Sequence, residues 1–236
     1  MMTNQYQPAP RSRRERPAKS ALTRQGIIDA ALAILREDGL HKVTMRRIAE
    51  ALDTGPSSLY VYVRDTTDLH AHILDALLSA VTESLPIEGT WRDRVKQLLT
   101  SYLLVLYEYP EIARMTLTTH LSGPNYLAVL ERLLALLHEG GMTDHDAAWA
   151  SDLLLLHATA VAAEHSSRKS SSQAAEEDQV LFAAITTADA SRYPHVVRLS
   201  GELFSGSGME RFEWGIDMVL NGVLHAPSVG REPENA

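Results

Sequence analysis

The chain has 236 residues, room for one large domain or two modest ones, and its 45% apolar and 22% charged content excludes wholesale disorder. It contains no cysteine, which rules out a disulfide scaffold, a thiol nucleophile and a cysteine-ligated metal. Net charge is −8, yet eleven of the 22 Lys and Arg fall in the first 70 residues, against eight of the 30 Asp and Glu, so one end is basic and the remainder strongly acidic.

Residues 1–20 read as a flexible basic arm in which Arg11, Arg13, Arg14, Arg16 and Lys19 face only Glu15. Such an arm suits a polyanion, and on charge alone it equally suits a solvated tail. No apolar core follows it, so it does not read as a secretory signal. No apolar run approaches the roughly 18 residues of a membrane span. The expectation is a cytoplasmic protein with no membrane partner.

Helical periodicity dominates the remainder of the chain, and no useful strand alternation occurs. A first helix is predicted over Thr23–Glu37, capped by Thr23, with Ile27, Ala30, Ala31, Ile34 and Leu35 on one face and Gly39 beyond its end. Thr44 caps a short helix over Met45–Leu52. Gly55-Pro56 restarts a third one through SSLYVYV, since proline suits a first helical turn. Asp65-Thr-Thr-Asp68 resembles a capping box and opens a long helix to Ser84. Further helices are expected from Thr90 to Tyr109, over Glu111–Leu121, from Gly123-Pro124 to Gly140, and from Thr143 to His165. The polar run Ser166–Gln179 reads as a mobile loop, followed by helices over Val180–Ala190 and Met209–Leu224. The protein is expected to be all-α.

Residues 44–63 form two short helices around Asp53-Thr54-Gly55, an arrangement that presents one side of the second helix outward. A helix of that size fits the major groove of B-DNA. Ser57, Ser58, Tyr60 and Tyr62 offer hydroxyls, Leu59 and Val63 lie four apart as inward anchors, Arg46 and Arg47 stand where phosphate or guanine is in reach, and Arg64 follows. An ordinary helical hairpin in a core is the bland alternative, but four hydroxyls on one short helix would each need a buried partner.

The run from Gln25 to Leu78, with IIDAALAILREDGLHKVTMRRIAEAL and then GPSSLYVYVRDTTDLHAHILDAL, resembles the DNA-binding domain of the tetracycline-repressor (TetR) family of transcriptional regulators. Trp91, the Glu-Gly-Gly-Met at 139–142 and RFEWGIDMVLNGVL extend the similarity towards the branch of the tetracycline repressor itself. The resemblance implies a helix-turn-helix domain at 21–68, a larger ligand-binding and dimerisation domain at 69–225, and a tail at 226–236. It implies that Arg46, Pro56, Ser57, Ser58, Tyr60, Val61 and Tyr62 face DNA, with Tyr60 on phosphate and Thr44 both cap and phosphate donor. Two positions depart from the family pattern: Asp53 stands where the turn usually has glycine, and Thr66 where helix four usually starts with lysine. A hydroxyl and helix N–H groups still suit a phosphate at Thr66.

For the larger domain, LLLLHATAVAA within Asp144–His165 is apolar almost all round and must be covered on both sides. With Phe212, Ile216, Val219, Leu220 and Val223 it suits a four-helix bundle across a twofold axis; the core of a monomer is the alternative. The resemblance favours a homodimer on a pseudo-palindromic operator, with a small-molecule effector that shifts helix four. Tyr102, Met115, Thr116, His120, Trp149 and His157 lie on segments that line the effector pocket in that branch. The positions of its magnesium–drug histidines are Thr116 and Thr82 here, so an apolar or aromatic effector is expected, with no metal site and no cofactor. His157, Glu164 and His165 share a rough helix face without a third converging ligand. An α-helical enzyme or carrier without sequence-specific DNA affinity, or a protein-interaction adaptor, are the competing classes. Neither accounts for basic charge, a tight turn and exposed hydroxyls occurring together.

Overall fold

The computed structural model describes residues 21–83, 88–117 and 121–225. Among these, all regular structure is helical. Helix α1 (Arg24–Asp38) starts where the Thr23 hydroxyl accepts from Gly26 N–H, and stops at Gly39, whose φ of 83° carries the chain out of the helix. Its buried face, Ile27, Ile28, Ala31, Leu32, Ile34 and Leu35, packs on α2 (Met45–Ala51) and α4 (Thr66–Leu77). Between α2 and α3 (Pro56–Leu59) lies a tight turn.

Three expectations for the third and fourth helices differ here. The third helix does not run through Val63 but passes into a hydrogen-bonded turn after Leu59, with Tyr62 and Val63 N–H both donating to the Leu59 carbonyl. Helix four does not reach Ser84 unbroken: α4 is interrupted at Leu78 before α5 (Ser79–Glu83). Its N-terminus is no reciprocal box either. Asp65 accepts from Asp68 N–H, but the Asp68 carboxylate turns to the backbone N–H of Arg64, one residue too early.

The larger helical body is organised by α9 (Asp144–Ser170), which packs on α6 (Trp91–Glu108), α7 (Pro110–Thr116), α8 (Pro124–Glu139) and α13 (Gly208–His225). At Thr90 a true capping box forms, the hydroxyl accepting from Asp93 N–H while the Asp93 carboxylate accepts from Thr90 N–H. Lys96 and Asp217, 2.6 Å apart, tie α6 to α13. α7 ends at Thr116, with Leu117 as its C-cap, short of the expected Leu121; residues 118–120 lie outside the described residues.

The polar stretch after His165 is not a loop. Ser166 and Ser167 donate to the carbonyls of Ala162 and Ala163 and stay in α9, while Arg168 and Lys169 sit in its last turn, where cations oppose the helix dipole. Helix α10 (Ala174–Thr186) then begins six residues before the predicted start, with Glu176 and Glu177 in its first turn. Two short helices that periodicity did not predict, α11 (Pro194–Arg198) and α12 (Ser200–Leu203), come next. α10 packs on α11 and α11 on α12. α10 has no buried residue.

Candidate nucleic-acid interface and effector-domain residues

The candidate surface begins with how the α2–α3 turn is held. The Thr44 hydroxyl accepts from Arg47 N–H and caps α2. Asp53 adopts φ 48°, the left-handed region the turn demands, and Thr54 N–H closes it on the Ala49 carbonyl at 2.8 Å; aspartate tolerates that region better than most residues. Pro56 takes the first helical position, and Leu59 and Val63 are fully buried beside Ile48 and Ala49. With these anchors fixed, Tyr60 and Val61 project outward, 54% and 79% exposed. Pro56, Ser57, Arg64 and Thr66 are also exposed, whereas Ser58 and Tyr62 are only half so. Tyr62 leans on the core.

The flanking arginines divide. Arg46 is exposed and held by Glu50 at 2.9 Å, a surface pair one helical turn apart that contributes little and is readily exchanged for phosphate. Arg47, predicted beside it on the groove, turns back to pair with Asp38 at the end of α1; its role is to brace the head. Arg64 pairs with Asp68 at 2.9 Å, and the bond holds its pKa above the usual value. Burial pushes the Asp68 carboxyl up, but the backbone N–H and guanidinium of Arg64 and the nearby His72 outweigh it and hold it below its usual value. Arg24, which in the sequence counts only towards the basic charge of the N-terminal end, donates from its guanidinium to the Tyr62 carbonyl at 3.1 Å and fastens the turn after α3 to α1. An arginine at a helix start carries no signal for a contact 38 residues away. The arm Arg11–Lys19 lies outside the described residues.

Of the six residues expected at the effector pocket, the five that are described do not share one place. Tyr102 is buried on α6, its hydroxyl 3.2 Å from that of Thr159 on α9, and burial pushes its pKa up to about 12, so it stays neutral and able to hydrogen bond. Met115 and Thr116 are half-buried on α7, and the Thr116 hydroxyl already donates to the Ile112 carbonyl. His157 lies at the α9–α13 seam, stacked on Phe212, with Nε2 3.2 Å from the Phe212 carbonyl; Gly215 leaves room for its ring, since a Cβ there would approach Nε2 to 2.5 Å. Trp149 is 71% exposed on the outer side of α9, against His145. His120 lies outside the described residues. Tyr126, half-buried on α8 with its pKa raised by burial and by Asp152, went unnoticed in the sequence because nothing local separates it from a core tyrosine.

That outer side of α9 continues through Leu153 and Leu156, and on α13 Trp214 and Met218 are likewise exposed. A groove of about 590 Å³ lined by Trp149, Leu153 and Val223 joins the two helices. Among the described residues no helix is long and apolar enough to cross a membrane, and no group of three or more His, Asp or Glu is placed to hold a metal ion.

Residues 27–73 match the family described as bacterial regulatory proteins, tetR family, and residues 84–226 the tetracyclin repressor-like, C-terminal domain. The transcriptional repressor DrrR1 of Streptomyces coeruleorubidus is 26% identical over 226 residues, spanning 89% of this chain and 80% of its own length. A transcription regulator of Streptomyces coelicolor, SCO7704, is 42% identical, with a TM-score of 0.75 over 90% of this chain and 100% of that one. The S. coelicolor protein ActR, solved in complex with actinorhodin, is 33% identical, with a TM-score of 0.76 over 89% of this chain and 99% of its own. A reading head joined to a larger helical body, with both parts matched over most of their length, identifies the chain as a member of the TetR family of transcriptional regulators.

Proposed function

We propose that this regulator is a homodimeric repressor that grips a pseudo-palindromic operator with two copies of the Pro56–Val63 turn and releases it when a small molecule occupies its larger domain. The observation that carries the reading is the division within one turn: Leu59 and Val63 fully buried, Tyr60 and Val61 standing free between the exposed Arg46 and Arg64. In this reading Pro56, Ser57, Ser58, Val61 and Tyr62 meet bases, and Thr44, Arg46, Tyr60, Arg64 and Thr66 meet phosphates. The apolar stripe of Trp149, Leu153 and Leu156 with Trp214 and Met218 is the surface for a second copy. Pairing there sets the two reading turns about 34 Å apart.

The effector is apolar or aromatic and binds beside Tyr102, whose neutral hydroxyl orients it; the complex of ActR, a relative of similar length, with actinorhodin supports a small-molecule effector. The chain acts in the cytoplasm, by binding rather than turnover, and needs no cofactor. A gel shift on the DNA flanking its own coding sequence tests the reading. Tyr60→Phe with Arg46→Ala should abolish retardation at protein concentrations that saturate the unaltered chain. Undiminished retardation by that variant would refute the assigned surface.

A further inference from the structure

We infer that Asp75 is a positioning residue for operator binding: from α4 its carboxylate caps the N-terminus of α8 and so fixes the angle at which the reading head leaves the body. The inference deepens the regulatory reading and rests on it. Asp75 is a carboxylate only 8% exposed. It accepts from the backbone N–H of Tyr126 at 2.9 Å and from the side-chain amide of Asn125 at 3.2 Å. These belong to the first turn of α8, whose own N-cap is Gly123 and supplies no side-chain bond. An acceptor is required at that end, and a negative charge suits the helix dipole. Here it comes from another helix, 51 residues earlier in the chain.

Gly123 is the complement of this contact. Its φ of −78° is open to any residue, so the backbone does not call for glycine. Space does: a Cβ there would come within 2.1 Å of the Asp75 carboxyl carbon. The missing side chain is the seat into which the carboxylate fits. Around it the head has room to swing, because a cleft of about 850 Å³ opens between the packed pair of α1 and α4 and the segment Ser122–Asn125, with Asp75 on its wall. Helix four is also interrupted at Leu78, one turn beyond Asp75. Where α4 is interrupted and the cleft is open, the polar tie to α8 decides the angle. α7, which bears Met115 and Thr116, precedes α8 in the chain and itself packs on α4, so a ligand shifting α7 would disturb the seat.

The absence of cysteine makes a direct test practical. Ala33 on α1 and Ala135 on α8 are exposed; both changed to cysteine and spin-labelled, in protein diluted with unlabelled chain, they report the head-to-body distance distribution. Asp75→Ala should broaden it, and Gly123→Ala should do the same by displacing the carboxylate. Gly123→Ala should add nothing in the Asp75→Ala background, where the seat is already empty. Asp75→Asn, which keeps an acceptor for Tyr126 N–H, should stay close to the unaltered width. If freed heads are competent roughly one time in three, two heads together lose about tenfold in affinity for the flanking DNA. Distributions as narrow as the original in both Asp75→Ala and Gly123→Ala, with only the melting temperature lowered, would overturn the inference. Failure of the unaltered chain to retard the DNA would instead refute the regulatory reading, while the distances still decide whether Asp75 sets the angle. Should Asp75→Ala not fold, Gly123→Ala against Asp75→Asn makes the same comparison.

Discussion

Leu59 and Tyr60 are neighbours in one turn, and their substitutions should fail in opposite ways. Leu59 has no exposed surface and closes the small core beneath the reading turn. Leu59→Ala removes that side chain and leaves a cavity, at a cost of roughly 2–5 kcal/mol, large against the stability of so small a head. Tyr60 is 54% exposed, and its hydroxyl has no bonding partner among the described residues. Tyr60→Phe should therefore shift stability by less than about 0.5 kcal/mol. It removes one phosphate hydrogen bond per head, worth about 1 kcal/mol each, so a dimer should lose roughly tenfold or more in affinity. Being neutral, the lost contact should leave the salt dependence unchanged. Urea melts followed by helical ellipticity, alongside anisotropy titrations of labelled DNA at several salt concentrations, read both quantities. A Tyr60→Phe protein that melts early, or a Leu59→Ala protein that melts normally yet loses DNA, would mean the turn is oriented the other way.

Arg46→Ala should flatten the slope of log affinity against log salt by about 0.9 per head, since each arginine on a phosphate releases a counterion; titrations at four salt concentrations check it. Trp214→Asp should convert dimers to monomers by sedimentation velocity: the exposed 65% of a tryptophan is roughly 160 Å², or about 4 kcal/mol per protomer if wholly covered. His70, on the side of α4 near Glu111, has a pKa pushed below 6.5 by burial, which outweighs the opposing charge of Glu111, and its Nε2 is a buried atom without a partner among the described residues. The unfolded chain then binds the proton more readily than the folded one, so stability is full above pH 6.5 and falls as the pH drops below it towards the folded pKa. His70→Leu should reduce that acid sensitivity, and thermal melts between pH 5 and 7 measure it.

The head was legible because its signals are local. Thr23 and Thr44 accept from the N–H groups three residues on, as their spacing demands, and Thr90 does the same in the body. Asp53 was legible for the same reason: a turn between two close helices needs a left-handed residue, and the chain supplies aspartate. The misreadings arose where side chains had partners the pattern does not encode. Ser166 and Ser167 look like loop residues, yet their hydroxyls bond back to the preceding turn and the helix continues. Asp68 has the spacing of a capping-box acid, but Arg64 draws its carboxylate away. Arg46 and Arg47 are indistinguishable in sequence, and only the proximity of Asp38 decides which one faces outward.

Long-range contacts also decide how the two parts of the molecule act on each other. A helix-turn-helix read from its caps and periodicity specifies a surface, but regulation requires that the surface be held at one angle and released at another. A ligand moves such an equilibrium only by its differential affinity for the two arrangements. The joint must therefore be stiff enough to hold the head and weak enough for one small molecule to shift. An apolar seam alone holds a joint without fixing one angle, since it is not directional. Here the apolar residues of α4 join the core of the body, and the α4–α8 contact adds a directional tie, a single buried carboxylate on one N–H and one amide, beside an open cleft. Charge-assisted bonds of this kind contribute about 1.5–3 kcal/mol each, the same order as the roughly 1–3 kcal/mol by which effectors couple to distant sites. Such a joint has the strength that ligand-controlled release requires. Its partners lie 51 residues apart, too far for any periodicity along the chain to reveal.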